Sequence, residues 1–238
     1  MTPLVSVIIP VLADREATRQ LIAQIPLDLQ VEIIVAEAGN EPGLESLSQG
    51  RPNIQLIHTR RGRGRQMNAA AELARGEWLL FLHADSRLPA DWLELFQAIS
   101  PTEPRTESNP GSRIPDPDPV GGWFQFALDD AAWQARLIER AVAWRVRLFR
   151  LPYGDQGLFV RQRTFAALGG YRDIPLMEDV EFVCRLVDKG RVVELPRTIT
   201  TSARRWRRDG WFRRSVRNMA LLSLYFCGVP PRVLARWY

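Results

Sequence analysis

The 238-residue sequence is poor in cysteine and histidine, with two of each. Cys184 and Cys227 lie far apart and match no metal-binding spacing, so no disulfide framework is expected and a reducing compartment is the simplest home. With only His58 and His83, and no nucleophile elbow, a serine or cysteine hydrolase is not indicated. The chain also lacks GxGxxG and the P-loop lysine pattern, which removes the grounds for a Rossmann or Walker site. Long apolar runs are missing too. The longest late one, residues 219–229, is too short to cross a bilayer as a helix. The apolar start at residues 4–12 has no basic region before it, and proline and acids follow directly, so it reads as a first strand rather than a signal peptide.

What is present is the composition of a soluble globular protein, 46% hydrophobic and 25% charged, in a chain long enough to bury a real core. The net charge of +5 is uneven. Between Arg204 and Arg217 stand seven arginines and one acid, interleaved with Trp206, Trp211 and Phe212. Arginine alternating with aromatics fits anionic lipid headgroups, a lipid-phosphate acceptor or single-stranded nucleic acid, and a solvated helix face is the plainer alternative.

The first hundred residues alternate in type. Residues 5–11 (VSVIIPV) and 31–35 (VEIIV) are β-branched runs, 54–58 is a weaker strand, and 18–25 reads as a helix, which is the opening of a parallel sheet with right-handed crossovers. After the third strand comes TRRGRGRQMN and then an alanine-rich helix from Ala69. A loop rich in glycine and arginine that feeds a helix N-terminus is an anion cradle, or else a solvated basic turn.

The stretch GEWLLFLHADSRLP, residues 76–89, carries the strongest chemical signal. Its apolar run, 78–82, has the length of a strand buried on both faces and stops abruptly at His83-Ala84-Asp85-Ser86. Ligands of open α/β sheets sit beyond the carboxyl ends of the strands, so Asp85 faces a cleft there. Its two oxygens suit Mg²⁺ or Mn²⁺ holding nucleotide phosphates, and His83 points to the same side. The alternative is that Asp85 caps the helix beginning near Pro89.

Residues 101–119 are rich in proline, serine and charge and are expected to form a mobile loop. GGWFQFAL, 121–128, is a strand fit to line an acceptor groove. A long helix spans 129–150, and its stripe of Trp133, Leu137, Ile138, Val142, Trp144 and Leu148 is expected to be core. A turn follows, LPYGDQG, then a strand at 158–160 and a short helix at 164–168. A further helix over 180–189 begins beside three acids, Glu178, Asp179 and Glu181, more than helix capping needs. One of them could act as a general base. Residues 192–195 read as a strand, and 216–227 as an apolar helix.

The series SVIIPV, VEIIVAEAGN, GRGRQMNAA, GEWLLFLHADSRLP, PYGDQGLFV and PLMEDVEF resembles the family 2 glycosyltransferases, closest to a bacterial branch with an HAD-type metal motif and a GDQG loop. Six motifs in the family's order are specific where one alone is weak. The resemblance implies an α/β, GT-A nucleotide-diphospho-sugar transferase fold. Its mostly parallel central sheet would be flanked by helices and followed by a basic C-terminal helical tail. One domain would cover 1–203, with a nucleotide-binding half to about residue 100, the insert at 101–119 and an acceptor-side half over 120–203. The tail would cover 204–238.

Residue by residue, the resemblance implies that Pro10, Asp14 and Glu37 border the nucleoside base, Asp14 and Glu37 standing where the family commonly has glutamate and aspartate. Arg63, Gln66, Asn68 and Ala84 would border the nucleotide and its diphosphate. His83-Ala84-Asp85 matches the DxD position, Asp85 and His83 holding Mg²⁺ or Mn²⁺. Asp179 matches the catalytic base, and Asp155, Gln156 and Glu178 would shape the donor-sugar and acceptor side. The implied reaction is a single displacement with inversion, from a UDP- or GDP-sugar to an acceptor hydroxyl. The partners implied are a lipid-linked acceptor and a peripheral membrane contact through residues 204–217, with no nucleic acid, at the cytoplasmic face of the membrane. Two other readings stay open. A sugar nucleotidyltransferase shares fold and metal, but the chain lacks a glycine- and lysine-rich activating loop behind the first strand. A non-catalytic nucleic-acid or membrane binder leaves the acids at three separate loops unexplained.

Overall fold

The computed structural model describes residues 2–39, 42–100 and 118–238. The expected mobile loop lies almost wholly outside them. The first unit is a set of parallel β/α repeats: β1 (Val5–Val11), α1 (Arg15–Gln24), β2 (Val31–Glu37), β3 (Ile54–His58), α2 (Arg63–Leu73) and β4 (Trp78–Phe81). A two-residue strand β5 (Ser86–Arg87) and helix α3 (Trp92–Ile99) follow. Past the undescribed segment come β6 (Gly121–Leu128), α4 (Trp133–Phe149), β7 (Phe159–Arg161), α5 (Gln162–Ala167), α6 (Glu178–Lys189) and β8 (Val192–Thr201). Helices α7 (Arg204–Asp209), α8 (Trp211–Phe226) and α9 (Pro231–Leu234) end the chain.

The strands form one eight-stranded sheet in the order β3-β2-β1-β4-β7-β6-β8-β5. The β3-β2-β1-β4 half is parallel, whereas β7 runs antiparallel to both β4 and β6. β6 and β8 pair in parallel. Because side chains alternate along a strand, β1 and β4 feed two cores at once. Val5, Val7, Ile9, Trp78 and Leu80 face α1 and α3, while Ile8, Leu79 and Phe81 face α2, α5 and α6. That double burial is why these runs read as unbroken hydrophobic stretches.

Four local expectations are corrected. α2 begins at Arg63 rather than near Ala69, because Gly62 takes φ +139° at the cap and the Arg, Gln and Met residues after it are good helix formers. Arg63 and Arg65 therefore lie in the helix's first turns, and only the stretch through Gly62 is a loop. β8 continues through Pro196 to Thr201. The register against β6 slips between Phe124 and Gln125, so the residue lacking an N–H sits in a bulge and pairing resumes beyond it. The alternative role of Asp85 as a cap falls, since α3 is preceded by Asp91 and Asp85 leads into β5. The α4 stripe is core only in part: Trp133, Leu137, Trp144 and Leu148 are exposed, whereas Ile138 is buried with Val142 packed against it, beside Ala135 and Val146, which are also buried.

The last 35 residues are packed against the rest. Trp206 joins Leu128, Ala135 and Ile138, and Leu221, Leu222 and Leu234 join Met177 and Val180. Their arginines are largely paired: Arg204 with Asp14, Arg205 with Asp85, Arg207 with Asp130, and Arg208, Arg214 and Arg217 with Asp209. The basic run is thus mostly stitched to acids. Among the described residues no helix is long and apolar enough to cross a membrane.

Candidate active site

A cavity of about 200 Å³ opens at the carboxyl end of β4. It is lined by Arg63 from α2, His83 and Asp85 from the β4 exit, Gly154 and Asp155 from the turn after α4, and Glu178 and Asp179 from the first turn of α6. Helices α4, α7 and α8 close the opposite side with Val142, Trp206 and Met219 among others.

The acids of α6 are aimed by an unusual backbone. Met177, the residue before the helix, has φ +65°, a conformation a bulky side chain adopts only when its surroundings impose it, and such strain gathers at functional sites. Asp179 accepts the Gly154 N–H on Oδ2 at 2.7 Å and the Val180 N–H on Oδ1 at 2.8 Å. Two backbone donors thus fix the plane of this carboxylate while leaving each oxygen a second lone pair. A side chain at Gly154 would be crowded: a Cβ would lie 3.0 Å from Arg63 Nη2, 3.1 Å from His83 Nε2 and 3.3 Å from Asp179 Oδ2. The glycine marks the point on which guanidinium, imidazole and carboxylate converge.

Arg63 donates from Nη2 to His83 Nδ1 at 3.1 Å and lies 3.5 Å from Glu178. Burial opposes the Arg63 charge, but Glu178, Asp179 and Asp155 around it outweigh burial and raise its pKa. Burial, with the nearby charges of Arg63 and Arg205, holds His83 far below its ordinary value and so neutral. A guanidinium can only donate, so Nδ1 must accept and the neutral ring carries its proton on Nε2. That Nε2 is buried and has no partner among the described residues. With Nδ1 engaged by Arg63, His83 presents an N–H donor, which suits a phosphate oxygen; to ligate a cation through Nε2 the ring would have to give up that contact.

Asp85 fits a hard cation better. Its carboxylate is mostly buried and its Arg205 partner is distant, at 3.9 Å. No three His, Cys, Asp or Glu side chains converge into a metal shell among the described residues. A Mg²⁺ or Mn²⁺ at Asp85 would need oxygens from a bound diphosphate and water, the usual habit of such ions.

Burial pushes the Asp155 carboxyl up to about 6, with Asp179 and Asp85 adding to the rise and Arg145 and Arg63 opposing it. Burial also raises Glu178, against Arg63 and with Asp179. The Asp155 shift has a measurable consequence. A carboxyl whose folded pKa exceeds its ordinary 3.8 contributes stability that is fully present below 3.8 and is lost as pH rises through about 6. Asp155→Asn removes that loss. Its melting temperature relative to wild type should climb between about pH 4.5 and pH 7.5, and a difference that stays flat over that range would exclude a strained carboxylate.

Several expected site residues act on the framework. Gln66 is buried, and its Nε2 donates to the carbonyls of Val11 and Ala36 at 2.8 Å each, tying the tips of β1 and β2. Asn68 donates to the Tyr171 carbonyl and accepts the Tyr171 N–H. Gln156 donates to the Phe124 carbonyl and accepts from Tyr153 N–H and Arg145. Glu37, at the end of β2, accepts the Gly39 N–H and contacts His58 Nδ1 at 3.0 Å. Pro10 sits beside Ala36 in the β1–β2 register. Asp14 and Ala84 line a neighbouring hollow that Asp85 shares, and Asp14 is paired there with Arg204 at 3.0 Å. Pro10, Glu37, Gln66 and Asn68 do not line the main cavity.

Sequence reasoning missed Arg145, Arg205 and Tyr153. Arg145 lies 3.5 Å over the Tyr153 ring and donates to the Leu151 carbonyl, bracing the GDQG turn. An arginine inside a helical stripe of arginines gave no hint of this, and the residue it braces was visible only as a turn.

Residues 6–102 match the family model described as glycosyl transferase family 2. No curated protein sequence matches the chain. Among solved structures the chain is similar to TarS 1–349 of S. aureus, with a TM-score of 0.61 and 14% identity over 91% of this chain and 64% of that one. A longer TarS structure matches at 0.58 and 13%, over 83% of this chain and 36% of that one. TarS 1–349 in complex with UDP-GlcNAc matches at 0.56 and 14%, over 83% and 58%. The chain spans less than two thirds of the length of these structures. At such identities the likeness is one of fold, and the GT-A arrangement of a mixed sheet flanked by helices is the one observed.

Proposed function

We propose that the chain is an inverting glycosyltransferase that moves a sugar from a UDP- or GDP-sugar to an acceptor hydroxyl. One observation carries the reading: Asp179, oriented by two backbone N–H groups, shares a cavity with Asp85, Arg63 and the buried N–H of His83. The family 2 match over the first hundred residues and the UDP-GlcNAc complex of a protein with the same fold support it.

In this reading the base and ribose lie over the tips of β1, β2 and β4, near Pro10, Asp14, Glu37 and Ala84. Gln66 and Asn68 keep those tips and α2 in place. Arg63 and His83 Nε2–H bind diphosphate oxygens, as preset donors aimed where negative charge gathers when the sugar leaves. Asp85 would hold a divalent cation, which when bound offsets the charge on the departing nucleoside diphosphate. Asp179 takes the proton of the acceptor hydroxyl as that oxygen attacks the anomeric carbon from the face opposite the leaving group, so the configuration inverts. Asp155, protonated over part of the neutral range, and Glu178 border the sugar and acceptor.

Calorimetry with UDP and GDP, each with and without Mn²⁺, tests the reading directly. One nucleoside diphosphate should bind at micromolar affinity, and Mn²⁺ should tighten it by about tenfold or more. Absence of binding by both, with and without the cation, would overturn it.

A further inference from the structure

Helix α4 is apolar on two sides. Ala135, Ile138 and Val146 face inward, and the second stripe, Trp133, Leu137, Trp144 and Leu148, is 45–64% exposed. Spacings of 4, 7 and 4 place those four on one narrow arc of the helix. Helix α8 has a similar outward arc of Phe212, Val216, Met219 and Phe226, all more than half exposed. The two arcs meet where the Trp133 and Phe212 rings lie 5.9 Å apart. An exposed apolar face of this length is far more than scattered surface leucines, and it calls for an occupant.

Charge says which. The only acid in either helix is Glu139, which is turned inward to accept the Leu128 N–H and pair with Arg136. Arg140, Arg147 and Arg213 are exposed and make no ion pair among the described residues, unlike most of the arginines of α7 and α8. Tryptophan and leucine flanked by unpaired arginine, with no acid facing out, is the pattern of a helix lying at a bilayer surface, with rings at headgroup depth and guanidiniums on lipid phosphates. A second copy of the chain fits worse, since an isologous contact would bring the same arginines face to face and desolvate them.

The cavity opens on this same side. Its exposed rim is Ala141 of α4, Met219 of α8 and Tyr238, and the α4 arc rolls from Leu148 through Ala141 into the cavity wall at Ile138 and Val142. We infer that the α4–α8 face docks on an anionic lipid surface, with the cavity mouth held at the headgroup layer. The surface stands on its own observations. Its consequence, that the acceptor is an amphipathic molecule presenting its hydroxyl to Asp179 from the membrane, rests on the transferase reading.

The test is sedimentation of the full chain with phosphatidylcholine vesicles, with and without about a third phosphatidylglycerol, alongside calorimetry with UDP and with GDP on the same samples. The protein should bind the anionic vesicles with a blue shift of tryptophan emission. Trp133→Ser combined with Trp144→Ser should weaken that binding about tenfold or more at unchanged melting temperature and nucleoside-diphosphate affinity. Arg140→Gln combined with Arg147→Gln should weaken it less and flatten its salt dependence. Failure to bind anionic vesicles, or equal binding by the tryptophan variant, overturns the inference. So does a dimer in vesicle-free solution that the tryptophan variant abolishes. Vesicle binding without nucleotide binding would sink the transferase reading alone and leave the surface standing.

Discussion

Asp179→Asn lowers kcat by about a thousandfold, or ~4 kcal/mol of transition-state stabilisation, while changing nucleotide affinity far less. The substitution keeps size and shape, and its one amide oxygen can still accept the Gly154 N–H now bound at 2.7 Å, which holds the GDQG turn, while its NH2 replaces the oxygen that accepts the Val180 N–H. The capacity to take a proton is lost together with that one backbone hydrogen bond. Because Asp179 is assigned to the acceptor hydroxyl and Arg63 and His83 to the diphosphate, nucleotide affinity should change far less than the rate. Rate and calorimetry on one preparation decide the matter: a parallel loss of both would make Asp179 a residue of the framework.

Asp85→Asn is the second large effect, a loss of about a hundredfold to a thousandfold in rate. Here the loss should go together with loss of Mn²⁺ dependence, and with loss of the Mn²⁺-induced gain in nucleotide affinity. Wild-type turnover that persists unchanged in excess chelator would remove the cation from the reaction. In that event Arg205, 3.9 Å from Asp85, and Arg63 would be the positive charges available to the leaving group.

Much of the framework was legible from order and burial. The runs at β1, β2 and β4 announce themselves because strands covered on both faces need no polar alternation. Their abrupt polar ends announce the cleft, and the DxD-like and ED segments do fall on one cavity. Other features depend on contacts that no local pattern encodes. The protonated nitrogen of His83 is dictated by Arg63, twenty residues earlier and on another element. The two roles of α4 were folded into one stripe, since helical periodicity marks apolar residues without saying which neighbour covers them. Gln66 and Asn68 sat in a motif suggestive of phosphate, yet their amides close backbone hydrogen bonds that would otherwise be left unpaired at the strand tips and at Tyr171.

Helices α7 and α8 supply Arg205, Trp206, Arg214, Asn218, Met219 and Leu221 to the cavity lining, and the last residue, Tyr238, joins them. A chain cut after residue 203 would keep every strand of the sheet and still admit bulk solvent to the acids. In that higher dielectric the burial that lowers His83 and raises Asp155 would weaken, and Arg205, which also lowers His83, would be gone. The C-terminal segment thus contributes to the protonation of residues more than forty positions away without forming a hydrogen bond to either.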